Sequence, residues 1–258
     1  MRRQLLTALA MIIVMTVGLG IIYPLVVTGI SQAVISNRAN GSIITVNGKA
    51  VGSALLGQNF TNSKGSPLPR YFQPRPSDAG STGYDDTTSA ASNLGPSNPL
   101  LIGFVPGVNT VNRSGDKSKA NVFATAADPF CVPTDPAGDP VSSPTPGQKY
   151  AKSHDGSYIC DPNTVPQRAI AYRQLNGLAP GTQVPVDAVT ASGSGLDPQI
   201  SIANADLQAP RVARARGLAT AQVLALVGKS TTTRPMGILG EPGVNVLQLN
   251  VALNALHK

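Results

Sequence analysis

The chain has 258 residues, of which 41% are hydrophobic and only 13% are charged, with 22 prolines and 26 glycines. Its formal net charge is +7, but the basic residues are scattered, which argues against nucleic-acid binding. The two cysteines and His154 fall short of the four ligands of a structural zinc site.

The first predicted element is a membrane-spanning helix. Residues 5–30 form an apolar run, and no charged side chain lies between Arg3 and Arg38. Because a bilayer core requires about 20 apolar helical residues, the run predicts a transmembrane anchor over residues 1–36. The alternative is a signal peptide cleaved near residues 31–33. Signal cores usually span about 7–15 residues, and this longer run favours a retained anchor.

Flanking charge predicts the orientation of the anchor. Arg2 and Arg3 precede the apolar run, so the positive-inside rule places the amino terminus in the cytoplasm and residues 37–258 outside the cell. Cys131 and Cys160 both fall on the proposed exterior side, where a disulfide would persist. They are a candidate disulfide, with two free thiols as the alternative. We therefore expect a single-pass protein of the cell membrane.

The first half of the exterior part reads as a hairpin followed by irregular chain. Residues 41–57 predict a β-hairpin, because Asn47 and Gly48 separate two runs of β-branched and apolar residues. Prolines within residues 67–76 predict extended or polyproline geometry. Residues 107–166 are rich in Asp, Pro, Ser and Gly, which predicts a long loop insertion that contains both cysteines.

Regular structure is expected again after residue 166. Residues 167–176 predict a short helix, and residues 184–190 predict a strand. A Gly/Ser-rich turn at residues 191–198 follows the strand. The alternation of helices and strands predicts an α+β fold, in which a single N-terminal transmembrane helix precedes one extracytoplasmic mixed α/β domain.

Three further helices are predicted towards the carboxyl terminus. Ser201 is a candidate N-cap of a helix that Pro210 interrupts or restarts, and Thr220 is a candidate cap of the next helix. Asn245 and Gln248 resemble a capping pair at the start of a terminal helix. The apolar residues of that helix recur at helical spacing and predict a core-facing stripe. They are Val246, Leu249, Leu253 and Leu256.

Catalytic interpretations of the sequence are weak. A serine hydrolase centred on Ser192 and Ser194 lacks the G-x-S-x-G pattern, and its base would have to be His154 or His257. A phosphate-binding G-x-x-x-x-G-K-[ST] loop is absent from the sequence. The turn at residues 192–197 has the composition of a small anion cradle, although a structural turn is the commoner reason for such a sequence.

Other residues are candidates for partner contacts. Thr16 and Gly20 lie four residues apart and put two small residues on one helix face, as close helix packing requires. Tyr71 and Phe72 form either a recognition surface or a cover for the core. The arginines near residue 211 form a solvated face or contact another subunit or lipid phosphate. The candidate contact residues are Thr16, Gly20, Tyr71, Phe72, Arg75, Ser192, Ser194, Asp197, Arg211 and Arg214.

Together these motifs resemble the C subunit of the Kdp-type, high-affinity potassium-transporting ATPases. The resemblance covers nearly all of the chain outside residues 107–166, an insertion that compact members of that family lack. The matching blocks are the opening Arg-Arg-Gln-Leu with Tyr23-Pro24-Leu25, and residues 52–58, 71–77, 91–99, 184–201, 209–216, 240–242 and 245–250.

The resemblance implies an accessory, non-catalytic subunit of an ATP-driven potassium uptake complex. The family's C subunit joins a potassium-channel-like A subunit, a P-type ATPase B subunit and often a very small F subunit. It is described as stabilising the complex and as a catalytic chaperone that raises the ATP affinity of the B subunit. Any involvement of ATP would therefore run through that ATPase subunit. The alternative function is a stand-alone membrane-anchored binding or sensor protein.

Overall fold

The computed structural model describes residues 2–95, 110–111, 122–123, 134–137, 163–234 and 237–256. The chain divides into two compact units, Met1–Leu55 and Leu56–Lys258. The first unit contains a long apolar helix, and the second contains helices and short strands, in agreement with the predicted mixed α/β class. The predicted domain boundary at residues 36 and 37 stays a prediction.

The first unit begins with one helix of 38 residues, Arg2–Ala39. It comprises α1 (Arg2–Val17), a π-helical turn (Gly18–Ile22) and α2 (Tyr23–Ala39). At 1.5 Å per residue the helix is about 57 Å long, which exceeds the hydrocarbon core of a bilayer. Its most apolar window has a mean hydropathy of 2.6, and none of that window is buried. By length and composition this helix can cross a membrane.

A β-hairpin completes the first unit, as predicted. Strands β1 (Ile43–Val46) and β2 (Lys49–Ser53) pair antiparallel, with an irregularity between Ile44 and Thr45. Asn47 and Gly48 both have positive φ, at 52° and 76°. A two-residue turn of this hand matches the right-handed twist of the strands, which is why Asn-Gly predicts hairpins so well.

The second unit contains four helices and two small sheets within the described residues. The helices are α3 (Val165–Asn176), α4 (Ile202–Arg216), α5 (Thr220–Lys229) and α6 (Val246–Ala255). The strands are β3 (Thr110–Val111), β4 (Val122–Phe123), β5 (Gln199–Ile200), β6 (Thr231–Thr232) and β7 (Gly243–Asn245). Strands β3 and β4 pair with each other, and the other three form an antiparallel sheet in the order β5-β7-β6.

One hydrophobic core holds the second unit together. Helix α4 contributes Ala205, Ala209 and Val212, whose spacing of three and four residues places them on one face. Ala213 of α4 is buried in the same core. The other fully or almost fully buried members come from α5, α6, strands β5 and β7, and one irregular segment. They are Phe72, Ile200, Val223, Val227, Val244, Val246, Leu249 and Leu253.

Helix α4 corrects one prediction and confirms another. Ser201 caps it as predicted, since its hydroxyl accepts a hydrogen bond from the Asn204 N–H at 3.1 Å. The helix then continues through Pro210 to Arg216 and ends at Gly217, with φ 64°. The predicted interruption is wrong, because the buried stripe of α4 continues on both sides of Pro210 and outweighs one lost hydrogen bond.

The caps of the last two helices are close to the predicted ones. Helix α5 begins at Thr220, but Ala219 is the N-cap residue, and its N–H donates to the side chain of Gln222 at 3.1 Å. The predicted Thr220 cap is therefore wrong by one residue. Asn245 caps α6 as predicted, because its side-chain oxygen accepts from the Gln248 N–H at 3.0 Å.

The predicted strand at residues 184–190 is wrong. A short 3-10 helix, Val186–Ala188, occupies this interval, and its turns close through Ala188 N–H to the Pro185 carbonyl at 3.0 Å and Val189 N–H to the Val186 carbonyl at 3.1 Å. Val186 is 72% exposed, so the apolar alternation of the sequence does not mark a buried face. Pro185 also lacks the N–H that a strand would use.

Candidate functional site

The candidate site is built around residues 67–77, which we call the proline-rich segment. Four of its residues are prolines, at positions 67, 69, 74 and 76. Proline has no N–H, and an irregular buried segment must find partners for its remaining N–H and C=O groups elsewhere. In this protein the partners are mainly side chains from α4 and α6, which hydrogen bond to the backbone of the segment.

Asn250 of α6 holds the backbone of Phe72. The Phe72 N–H donates to Asn250 Oδ1 at 2.9 Å, and Asn250 Nδ2 donates to the Phe72 carbonyl at 3.0 Å. The amide side chain therefore pairs with both backbone groups, as a neighbouring β-strand would. The Phe72 ring itself is fully buried in the core.

Gln208 of α4 repeats this arrangement one residue later. The Gln73 N–H donates to Gln208 Oε1 at 2.8 Å, and Gln208 Nε2 donates to the Gln73 carbonyl at 3.1 Å. Gln208 is oriented in turn by Asn204 Oδ1, which accepts from Nε2 at 2.8 Å, and by Arg211 Nη2, which donates to Oε1 at 2.8 Å. Every polar atom of this buried amide therefore has a partner, as its burial requires.

Arg211 anchors the start of the segment from inside the protein. Its guanidinium donates to the carbonyls of Pro69 and Tyr71 and to Asn176 Oδ1, the last two at 3.0 and 2.9 Å. Only 5% of the residue is exposed, and this burial lowers the pKa of Arg211 to about 10. Arg211 remains charged at neutral pH, and oxygen dipoles rather than a carboxylate balance its charge.

The buried Arg216 and the partly exposed Tyr71 form the next part of this arrangement. Arg216 donates to the Arg70 carbonyl at 2.6 Å, and its guanidinium lies 4.9 Å from the centre of the Tyr71 ring. The rings of Tyr71 and Phe60 are 5.4 Å apart, and the guanidinium of Arg70 also lies over Tyr71 at 5.5 Å. The result is a stacked aromatic and cationic cluster, of which Arg70 is exposed.

The other end of the segment closes on the Gly/Ser turn at residues 191–198. Arg75 Nη1 donates to Asp197 Oδ2 at 2.9 Å, and the Ser194 hydroxyl donates to Asp197 Oδ1 at 3.2 Å. The Ser192 N–H donates to the Pro76 carbonyl at 2.9 Å, and the Ser192 hydroxyl accepts from the Asp197 N–H at 3.3 Å. Two of these bonds join the turn to the proline-rich segment, and the other two hold the turn itself together.

Tyr84 and Gly195 pack closely at this contact. The Tyr84 hydroxyl donates to the Arg75 carbonyl at 3.0 Å, and burial together with the Asp197 charge raises the pKa of Tyr84. The Ser77 hydroxyl donates to the Gly195 carbonyl at 2.6 Å. Gly195 has φ +72°, and a Cβ there would lie 2.6 Å from the Cβ of Ala79, so glycine is required.

This geometry does not resemble a hydrolase site. Ser192 is fully buried, and its hydroxyl is used inside the turn. His154 and His257 lie outside the described residues, as do Cys131 and Cys160, so the predicted disulfide stays a prediction. Within the described ranges, no cluster of three or more His, Cys, Asp or Glu side chains is able to hold a metal ion.

A cleft lies beside the proline-rich segment. It has a volume of about 630 Å³ and is lined by Gln73, Arg75, Arg168 and Tyr172 among other residues. Two buried side-chain atoms here, Arg75 Nε and Asp78 Oδ2, have no hydrogen-bond partner in the described part of the chain. The cleft is open and chemically mixed, which fits a contact with a polar segment better than an enclosed small-molecule pocket.

The structure sorts the ten candidate contact residues by exposure. Phe72, Ser192 and Arg211 are buried, so their side chains hold the fold rather than present a free surface. Arg214 is exposed, and the remaining four of the second unit are partly exposed: Tyr71, Arg75, Ser194 and Asp197. Thr16 and Gly20 share one helix face, with Thr16 Cγ2 3.8 Å from the position of a Gly20 Cβ. Their role as partner contacts stays a prediction.

Sequence reasoning missed the side chains that hold the segment. Asn250 falls between Leu249 and Leu253 on the buried side of α6, and a polar residue among core positions is a recognisable signal of a buried hydrogen-bonding role. Gln208 gives the same signal next to Ala209 on α4. Arg216 and Tyr84 give none, because their partners are distant in the sequence.

Comparison with known proteins identifies the family. The family model described as "K+-transporting ATPase, c chain" (KdpC) matches residues 5–134 and 161–255. The "Potassium-transporting ATPase KdpC subunit" of Mycobacterium tuberculosis (strain ATCC 25618 / H37Rv) is 41% identical over 256 residues, which are 99% of this chain and 100% of the relative. The proteins of the same name from Koribacter versatilis and Kineococcus radiotolerans are 36% and 39% identical, and each match covers 98% of this chain and 95% and 94% of the relatives, respectively.

These comparisons also bear on the middle of the chain. The family model leaves residues 135–160 unmatched, inside the interval for which an insertion is predicted. The matches to the relatives span almost the whole chain.

The matched residues include the proline-rich segment, the Gly/Ser turn and both helices that hold them. The chain therefore belongs to the KdpC family, the c chain of the K+-transporting ATPases.

Proposed function

We propose that this protein is the accessory, non-catalytic subunit of an ATP-driven, high-affinity potassium uptake complex. The observation that carries this proposal is the 41% identity, over 99% of this chain and 100% of the relative, to a potassium-transporting ATPase KdpC subunit. Its partners are then a potassium-channel-like A subunit, a P-type ATPase B subunit and a small F subunit.

Physical reasoning supports an accessory role. One apolar helix of 38 residues cannot enclose an ion path, because a pore needs several helices or a closed barrel around it. The hydrogen-bonding groups of the Gly/Ser turn are used within the protein, which leaves no free nucleophile there. We infer that other subunits supply both ATP hydrolysis and the potassium path.

We further propose that the second unit lies outside the cell, with Arg2 and Arg3 in the cytoplasm. To test this, Cys131 and Cys160 are replaced by serine and a new cysteine is placed at the exposed Gln248. A membrane-impermeant thiol reagent added to intact cells should label this cysteine. A matched cysteine at Gln4, which leaves Arg2 and Arg3 in place, should be labelled only after lysis. The reverse labelling pattern would contradict the orientation.

The catalytic-chaperone role is also a proposal. An exterior domain cannot contact cytoplasmic ATP, so a change in ATP affinity must travel through the subunit interfaces. We expect a purified complex that lacks this chain to show a higher KM for ATP than the complete complex. An unchanged KM in a complex that stays assembled would leave only the stabilising role.

Affinity purification from gently solubilised membranes tests the proposed function itself. We expect the P-type ATPase and the channel-like subunit to co-purify with this chain in equal amounts. A deletion strain should grow poorly when potassium is scarce. Recovery of the chain alone, with normal growth of the deletion strain, would favour the stand-alone sensor instead.

A further inference from the structure

The π-helical turn Gly18–Ile22 interrupts the long apolar helix just before Pro24. The N–H of Tyr23 donates to the Gly18 carbonyl, five residues earlier, instead of to the Leu19 carbonyl four residues earlier. In this π-helical register, the N–H that would donate to the Leu19 carbonyl belongs to residue 24, which is a proline and has no N–H. Neither helical register therefore gives the Leu19 carbonyl a main-chain donor of its own.

The Leu19 carbonyl lies in the part of the helix that the bilayer core must surround. Every window of about 20 residues within the apolar run 5–30 contains Leu19 and Gly20, so both lie in the hydrocarbon wherever the helix is placed. A backbone carbonyl without a partner in hydrocarbon is strongly unfavourable, because no water is there to hydrogen bond with it. The lipid tails cannot donate, so we expect a protein group to do so.

A second polar group without a partner lies on the same stretch. The Thr16 hydroxyl makes no hydrogen bond to any residue that the structure describes, whereas the hydroxyl of Thr7 donates to the Arg3 carbonyl at 2.9 Å. Thr16 Cγ2 lies 3.8 Å from the position of a Gly20 Cβ, so the two residues share a face. Gly20 has no side chain, and another helix can therefore approach this backbone closely.

We propose that the face formed by Thr16 and Gly20 binds one transmembrane helix of a partner subunit, and that this helix donates a side-chain N–H or O–H to the carbonyl of Leu19. The proposal rests on the proposed function, which places the chain among membrane-embedded subunits. The partner helix must carry a Ser, Thr, Asn, Gln or His at the depth of Leu19, since these side chains hydrogen bond between helices in membranes.

The test uses the full-length chain, affinity-purified from membranes together with its partner subunits. Gly20→Leu blocks close approach, and Gly29→Leu is the matched control, nine residues along and on roughly the opposite side of the helix. Neither Gly20 nor Gly29 has backbone from elsewhere in the chain against it. We expect Gly20→Leu to lower the recovery of partner subunits about tenfold or more, and Gly29→Leu to change it less than about twofold.

Pro24→Ala tests the hydrogen bond separately. The variant supplies a main-chain N–H where the carbonyl lacks one, so the donor of the partner helix loses its acceptor. We expect recovery of partner subunits to fall about three- to thirty-fold, with membrane insertion of the chain unchanged. Equal recovery for the wild type and Pro24→Ala would contradict the proposed hydrogen bond to the Leu19 carbonyl. Equal effects of the two leucine variants would contradict the proposed binding face.

A photo-crosslinking residue at position 16 identifies the occupant. We expect an adduct with a partner subunit, whereas an adduct of twice the mass of this chain would show a second copy on this face and overturn the proposal. If the wild-type chain recovers no partner subunit at all, the proposed function fails. If the wild-type chain recovers its partner subunits and the variants recover them equally well, this inference fails but the proposed function stands.

Discussion

Asn250 and Phe72 lie 178 residues apart in the sequence, and the side chain of the first pairs with both main-chain groups of the second, at 2.9 and 3.0 Å. Gln208 and Gln73 form the same kind of pair over 135 residues. Two buried amide side chains thus take the place of a neighbouring strand for a segment whose prolines prevent a regular ladder. The shape of the candidate site depends on these two residues.

Replacing Asn250 with alanine should destabilise the protein strongly. The change leaves the buried N–H and carbonyl of Phe72 unpaired, and we expect the free energy of unfolding to fall by about 2–4 kcal/mol. Urea unfolding of the full-length protein in detergent measures this loss. Gln248→Ala, on the exposed side of the same helix, should change the value by less than about 0.5 kcal/mol. Similar losses in both variants would contradict the role of Asn250.

Arg211 and Arg214 should respond differently to substitution, although they lie three residues apart. Arg211→Met leaves the carbonyls of Pro69 and Tyr71 without their donor, and we expect a loss of about 2–4 kcal/mol in the free energy of unfolding. Arg214 is exposed, so Arg214→Glu should leave stability within about 0.5 kcal/mol.

Arg214→Glu should instead lower the recovery of partner subunits in affinity purification, because it reverses a surface charge at a candidate contact. Recovery equal to that of the wild type would remove Arg214 from the candidate contacts without affecting the account of Arg211.

The two glycines of the Ser-Gly-Ser-Gly turn should differ in their tolerance of alanine. Gly195 has positive φ, and a Cβ there would meet Ala79 and the Ala90 carbonyl at 2.6 Å. We expect Gly195→Ala to lower the free energy of unfolding by more than about 2 kcal/mol. A Cβ at Gly193 meets nothing within 4 Å, so Gly193→Ala should be tolerated. Thermal unfolding of both variants checks the difference, and equal melting temperatures would contradict it.

Alkaline pH should weaken the fold through Tyr84. Its pKa is raised first by burial and then by Asp197, so the folded state holds the phenol proton more tightly than the unfolded state does. The resulting stabilisation is complete below the ordinary tyrosine pKa of about 10 and is lost as the pH rises above that value. Tyr84→Phe should remove one phenol that ionises late in an absorbance titration. If Tyr84 titrates like an exposed phenol, the prediction is wrong.

Local signals account for the parts of the fold that were predictable. The hairpin follows from Asn47 and Gly48, and the start of the last helix follows from Asn245, because in each case a residue acts on its near neighbours. The strand predicted at residues 184–190 was wrong, because the apolar alternation there does not mark a buried face: the chain turns at Pro185 and exposes Val186. The amide pairs were not predictable, since nothing near Gln73 in the sequence indicates Gln208.

The pairing between the proline-rich segment and the last helix has a consequence for biosynthesis. Asn250 follows Phe72 by 178 residues in the chain, so Phe72 emerges from the ribosome well before its partner exists. At about 5–20 residues per second, the delay is on the order of 10–40 seconds. During that time the segment depends on water or chaperones to cover its backbone groups. A nascent chain that terminates before α6 would carry the proline-rich segment and α4 but would leave the backbone of Phe72 without Asn250.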